Sequence, residues 1–213
     1  PSVSVDCVIF GFHENQLKVL LLEFKHTKAF SLPGGFVFKE ESTDEAATRI
    51  LWERTGVKDI YLEQFHTFGE QNRGNWDVHK TTMSTHGFEL QADHWLLQRF
   101  ISIGYYALVD FSKVQPTPDI FSDLGNWHDI HQIPALILDH NLIIDKALET
   151  LRLMLDHKLV GFNLLSETFT MNELQSLYET ILDKKLLRAN FQRKMLSLGI
   201  LERVEKKFSG KAH

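Results

Sequence analysis

The stretch that most constrains this chain is Ser31-Leu32-Pro33-Gly34-Gly35-Phe36-Val37-Phe38-Lys39-Glu40-Glu41, which runs directly into residues 42–57. Two glycines after a proline specify a tight turn that a bulky side chain would block. Ser42 followed three residues later by Glu45 is a capping box, which marks a helix start, and Gly56 supplies a usual helix stop. The spacing therefore predicts a helix from Thr43 to Thr55. The rest of the chain is arranged around this turn and helix.

The spacing Gly35, five residues, Glu41, seven residues, Arg49, then Gly56-Val57 resembles the Nudix box. The resemblance implies a fold whose members hydrolyse nucleoside diphosphates linked to another group. The family's helix reads Arg-Glu-apolar-x-Glu-Glu-x-Gly, and its glutamates bind divalent metal. Here the same register reads Arg49-Ile50-Leu51-Trp52-Glu53-Arg54-Thr55-Gly56, so two of the three helix carboxylates are missing. Positions 50, 53 and 54 share one helix face, where three carboxylates would hold a hard cation through oxygen. Ile50 offers no ligand. Arg54 puts a fixed positive charge at the metal position, at a cost on the order of several kcal/mol in a partly desolvated site. Arg49 and Glu53, four apart, suit a structural ion pair. The expectation is a box remnant (Gly35, Glu41, Arg49, Glu53) that keeps the fold, with no catalytic residue, metal or cofactor assigned. The alternative is an active hydrolase of a nucleoside diphosphate derivative, with relocated carboxylates such as Glu41 and Glu53.

The flanking sequence supports that fold. Val3 to Phe12 and Leu17 to Phe24 read as a hairpin, with His13 to Gln16 as its turn. Phe30 to Leu32 is a short strand into the glycine turn, Ile60 to Phe68 another strand, and Ile101 to Val109 a strong one. Residues 69–100 hold Arg73, Trp76, His79 and Trp95 and fit no regular pattern. Such a length points to a surface insertion, or to a lid or dimer contact. Gly125 to Ile130 and Ile133 to Leu136 fit the end of a Nudix-like fold. Leu142 to His157 is a helix with Ile144, Ala147, Leu148, Leu151 and Leu155 on one face. His128, His131 and His140 lack metal-ligand spacing and read as loop or capping histidines. The single cysteine, Cys7, sits in an apolar run; it excludes a disulfide framework and reads as a small core residue. No apolar run approaches a membrane span.

Charge divides the chain. Residues 183–213 carry nine Lys/Arg against three acids, a balance of +6, which leaves −11 on the rest of a chain whose total is −5. A basic end on an acidic body suggests an anionic partner for the end alone. A second capping box, Thr170 to Glu173, starts a helix to Asp183 with Leu174, Leu177, Tyr178 and Ile181 on one side. A helix from 187 or 188 to Leu198 follows, with Leu187, Phe191, Met195 and Leu198 as its apolar seam. Ile200 to Val204 reads as a strand. Helix, short turn, basic helix, strand is the order of a winged helix-turn-helix. Arg188, Asn190, Gln192, Arg193 and Lys194, with Lys184 and Lys185 in the turn, are the candidate DNA contacts: Arg, Asn and Gln for base edges, Lys and Arg for phosphates.

The phrases Phe169 to Leu182 and Arg188 to Lys194 resemble the C-terminal domain of Nudix-related transcriptional regulators. In them the wing's returning strand follows a segment like Phe208-Ser209-Gly210-Lys211, whereas this sequence ends at His213. The combined reading is an α+β protein: a Nudix-like α/β/α sandwich over 1–157 that senses a small molecule, and a winged helix over 158–213 that binds double-stranded DNA. The resemblance implies a cytoplasmic homodimer on a near-palindromic operator, and a sugar, sugar phosphate or ADP-ribose as effector, which places it in sugar metabolism. Without the carboxylates a diphosphate loses its metal partner, which favours a sugar or sugar phosphate. Gly34, Gly35, Arg54 and Arg73 are the candidate effector contacts, the two arginines through direct anion binding.

Overall fold

The computed structural model describes residues 2–24, 29–73, 98–118 and 122–204. Most of the predicted interpretation of 69–100 lies outside them.

Strand β1 (Ser2–His13) is the centre of a seven-stranded mixed sheet among the described residues. Its Val, Ile and Phe content suits a strand buried on both faces. One edge runs parallel to β6 (Phe100–Val109) from Ser2 to Gly11. The other edge is shared. β2 (Gln16–Phe24) pairs with Phe10–His13, and β4 (Gly34–Phe36) pairs with Ser4–Asp6. Between them the Cys7 amide donates to the Pro33 carbonyl at 2.8 Å. β3 (Phe30–Ser31) pairs with β2, and β5 (Tyr61–Phe68) runs antiparallel to β6. The hairpin turn is two residues, Glu14 and Asn15, both at positive φ (51° and 58°).

β7 (Ser122–Asp129) is longer than its sequence suggests. Gly125 and Asn126 are poor strand formers, but antiparallel pairing to Lys18–Phe24 of β2 fixes the backbone there.

Side chains alternate across the sheet with period two. Val5, Cys7 and Ile9 face helix α1 (Thr43–Thr55) and meet Ala46, Ala47, Ile50 and Leu51. Val8 and Phe10 face helix α2 (His140–His157) and meet Ile143, Ile144, Ala147, Leu151 and Leu155. Burial pushes the Cys7 thiol pKa up, as expected of a core cysteine. α1 has the capping box expected of Ser42 and Glu45, and Gly56 closes it at φ 68°.

After α2 the chain turns at Leu159 (φ 52°) into a 3-10 turn, Val160–Leu164. α3 (Met171–Leu182) follows, with its Thr170–Glu173 capping box, then α4 (Arg188–Ser197). Leu174, Leu177, Tyr178, Ile181, Phe191 and Met195 belong to the same apolar cluster as Val8, Phe10 and Leu155, so the core under α2 continues into these helices.

Two expectations fail here. Of the predicted α4 seam only Phe191 and Met195 are buried; Leu187 is 75% exposed, and Leu198 is exposed as well. Leu187 precedes the first helical turn, and Leu198 follows the last one, so neither is held against α3. Residues 200–204 form no strand: a strand needs a partner for its backbone groups, and no described residue pairs with them.

Candidate functional site

The glycine turn rests on a buried polar cluster. Gly34 pairs with Asp6 across β4 and β1, and a Cβ built on it would collide with Asp6 Oδ1 and lie 2.9 Å from the Val5 carbonyl oxygen. A Cβ on Gly35 would meet Ile50 Cδ1 at 3.2 Å. The Asp6 carboxylate accepts a hydrogen bond from the Ser102 hydroxyl, and lies 3.6 Å from Arg73 Nη2 and 3.7 Å from His140 Nε2. Arg73 in turn grips both oxygens of Asp139, from Nε at 2.9 Å and Nη2 at 2.7 Å, with its guanidinium 5.0 Å from the Phe100 ring centroid. The Leu32 amide donates to His140 Nδ1 at 3.0 Å. That acceptor role requires the neutral ring, and burial lowers the His140 pKa accordingly.

The box remnant converges on Arg49. Its Nε and Nη2 donate to the two Glu41 oxygens at 3.0 and 2.6 Å, Nη2 also reaches the Phe36 carbonyl at 3.2 Å, and Nη1 lies 3.7 Å from Glu53. The guanidinium stacks 4.1 Å from the centroid of Phe38. Hydrogen bonds from Arg49 hold the Glu41 carboxyl below the usual range, and Glu41 raises the Arg49 pKa. Arg54 Nη2 lies 3.7 Å from the other Glu53 oxygen. Ile50, 1% exposed, fills the space under Gly35 with hydrocarbon. Glu41 and Glu53 thus both face guanidinium groups, and among the described residues no group of three His, Cys, Asp or Glu is placed to hold a metal ion.

Gly34, Gly35 and the box residues therefore meet at one end of the sheet. Arg73 was expected as an anion contact; its side chain is 1% exposed and engaged with Asp139 and Asp6, while its buried Nη1 finds no hydrogen-bond partner among the described residues. Sequence reasoning missed Asp6, Ser102, Asp139 and His140. Asp6 was the available signal: an acid inside the apolar run Val5–Phe10 requires a buried partner. His140 is neither a loop nor a capping histidine but the floor of the glycine turn.

At the other end, α4 turns Phe191 and Met195 inward and leaves Arg188, Asn190, Arg193 and Lys194 exposed, with Gln192 half-buried. Arg193 Nη2 donates to Asn190 Oδ1 at 3.1 Å. Lys184 and Lys185 are exposed in the preceding turn, Lys185 pairing with Glu179 at 3.0 Å. Glu179 also accepts from the Leu186 amide and Gln175, and these bonds, led by the Leu186 amide, bring its pKa to about 2. Glu179 thereby fixes the turn between α3 and α4.

Comparison with known proteins bears on both ends. The model of the NUDIX domain matches residues 1–151, and that of the NrtR DNA-binding winged helix domain matches residues 161–213. Shewanella oneidensis NrtR is 30% identical, its crystal structure giving a TM-score of 0.70 over 92% of this chain and 85% of that one. The chain belongs to the NrtR family of Nudix-related transcriptional regulators.

Two further structures of Shewanella oneidensis NrtR are similar. The complex with a 27mer DNA has a TM-score of 0.70 at 29% identity, covering 97% of this chain and 90% of that one. The NUDIX domain complexed with ADP ribose has a TM-score of 0.52 at 28% identity, covering 70% and 88%. The ADPR responsive transcriptional repressor NtrR of Acinetobacter baylyi is 28% identical over 221 residues, 99% of this chain and 79% of that one. In this NrtR-family chain the winged helix-turn-helix is therefore a DNA-binding domain by family, and among the described residues no helix is long and apolar enough to cross a membrane.

Proposed function

We propose that this NrtR-family chain is a ligand-responsive transcriptional regulator, in which residues 1–157 sense ADP-ribose or a related sugar phosphate and residues 158–213 bind double-stranded DNA. The observation that carries the reading is the box helix. Ile50 and Arg54 stand where two metal-binding carboxylates would be, and Arg49 neutralises the carboxylates that remain. A site without a metal cage suits binding better than pyrophosphate cleavage. The names of the similar proteins favour ADP-ribose over the simple sugar or sugar phosphate to which the sequence leaned. Its diphosphate, lacking a metal, would be met by Arg54, beside Gly34 and Gly35, while Arg73, expected as a second anion contact, is buried against Asp139 and Asp6. Lys184, Lys185, Arg188, Asn190, Gln192, Arg193 and Lys194 form the proposed DNA face. Two copies acting together in the cytoplasm would match a two-fold operator.

The test is fluorescence anisotropy with a duplex selected from random sequence by the full chain, with and without ADP-ribose. A fall in DNA affinity on adding ADP-ribose supports the reading; no sequence-selective duplex binding overturns it. Glu41 and Glu53 keep a hydrolase reading open, because two oxygen ligands survive close together. Magnesium-dependent cleavage of ADP-ribose by the same preparation would establish that reading instead.

A further inference from the structure

Helix α2 touches both functional ends of the molecule. At its first residue, His140 accepts the Leu32 amide hydrogen bond under the glycine turn, and the preceding Asp139 is clamped by Arg73. Twelve residues on, Arg152 Nε donates to the Ile181 carbonyl at 2.7 Å, capping the last turn of α3 just before the basic turn and α4. Leu155 adds a carbonyl that accepts from the Tyr178 hydroxyl at 3.3 Å, and Tyr178 packs edge-to-face on Phe191 of α4 at 5.2 Å. Lys158, just past the helix, pairs with Glu63 of β5. Between these ends, Ile143, Ile144, Ala147, Leu151 and Leu155 are all buried in one cluster with Val8 and Phe10. A close-packed helix of 18 residues, roughly 27 Å long, moves as a body and does not flex locally.

We propose that α2 is the coupling rod of this regulator, with His140 as the positioning residue at its effector end and Arg152 at its DNA end. The inference rests on the proposed function and deepens it. A displacement of the Leu32–Gly35 turn on effector binding shifts His140, carries α2 with it, and moves the Ile181 end of α3 and hence the recognition turn. The groups facing His140 are Asp6 on β1, Arg73 after β5 and Asp139 beside it, so the end of the rod is held on three sides.

The experiment uses the full chain, the selected duplex and ADP-ribose. The wild-type protein should lose DNA affinity about tenfold or more on saturation with ADP-ribose. Arg152→Met keeps the apolar stem and removes the bond to Ile181; it should bind ADP-ribose within about twofold of wild type by calorimetry, yet lose no more than about threefold in DNA affinity when saturated. At an ADP-ribose concentration shown by calorimetry to saturate it, His140→Ala should likewise lose no more than about threefold in DNA affinity, and His140→Asn, whose Oδ1 replaces the Nδ1 acceptor, should restore the response. An arm without effector compares His140→Ala, Arg152→Met and the double variant on DNA affinity alone. Two residues about 18 Å apart on a helix normally act additively within about twofold; a departure of about fivefold or more supports the rod. A full ADP-ribose response in Arg152→Met, or additive effects in the second arm, overturns it. An unresponsive wild-type protein would instead reject the ADP-ribose reading, leaving the second arm to decide the rod.

Discussion

A methyl group added at Gly34 has nowhere to go, because Asp6 Oδ1 and the Val5 carbonyl close that side of β4. Gly34→Ala is expected to cost about 2 kcal/mol of stability, within the range for overpacked sites. Gly35→Ala should cost well under that, since its neighbour is the flexible end of Ile50. Urea unfolding of the two variants measures the contrast. His140 offers a second test. Its folded pKa lies below the unfolded value near 6.5 because burial disfavours the charged ring. The unfolded chain therefore binds this proton first, and stability contributed by neutral His140 is present above pH 6.5 and lost as pH falls below it. The limiting slope is about 1.4 kcal/mol per pH unit for one proton. Unfolding of His140→Asn should show a shallower decline between pH 6.5 and 5 than wild type. At this scale the glycines were legible because backbone conformation is written locally. His140 and Asp139 were not, because their partners Leu32 and Arg73 are distant in sequence and no local pattern connects them.

The helices differ in how well they announced themselves. Both capping boxes could be read from Ser42 with Glu45 and Thr170 with Glu173, since a cap is made of neighbours. The seam of α4 was only half legible. Spacing alone put Leu187 with Phe191 and Met195, but the chain enters the helix at Leu187 in an extended conformation and turns its side chain outward. Phe191→Ala is accordingly expected to cost about 3 kcal/mol and to weaken DNA binding. Leu187→Ala and Leu196→Ala, at positions 75% and 63% exposed, should each stay within about 0.5 kcal/mol. Thermal unfolding checks all three. β7 shows the opposite failure: a strand with weak local preference, formed because β2 offers it a free edge.

Across the whole molecule, one apolar cluster runs from the sheet through α2 into α3 and α4. The sensing and DNA-binding parts should therefore unfold together, in a single calorimetric transition whose van't Hoff and calorimetric enthalpies agree. The fold class was readable because two motifs occurred in the right order; the shared interior was not, since it depends on Leu177 and Tyr178 joining the same cluster as Val8 and Phe10, which are distant in sequence. DNA binding belongs to this scale too, through the uneven charge of the chain. Arg193→Ala is expected to lower the slope of log affinity against log salt by about 1, read by anisotropy across a salt series.

The corner at Leu159 has a consequence for operators. Leucine tolerates a left-handed backbone poorly, at a cost on the order of 1 kcal/mol, and here it holds the bend between α2 and the 3-10 turn while Lys158 beside it is tied to Glu63. Such a joint behaves as an elbow and not as a string. If two copies grip one duplex, the gap between their recognition helices is then a dimension of the protein. Inserting even a few base pairs between half-sites would cost nearly all of the paired binding, because the elbow has no slack to follow the groove around.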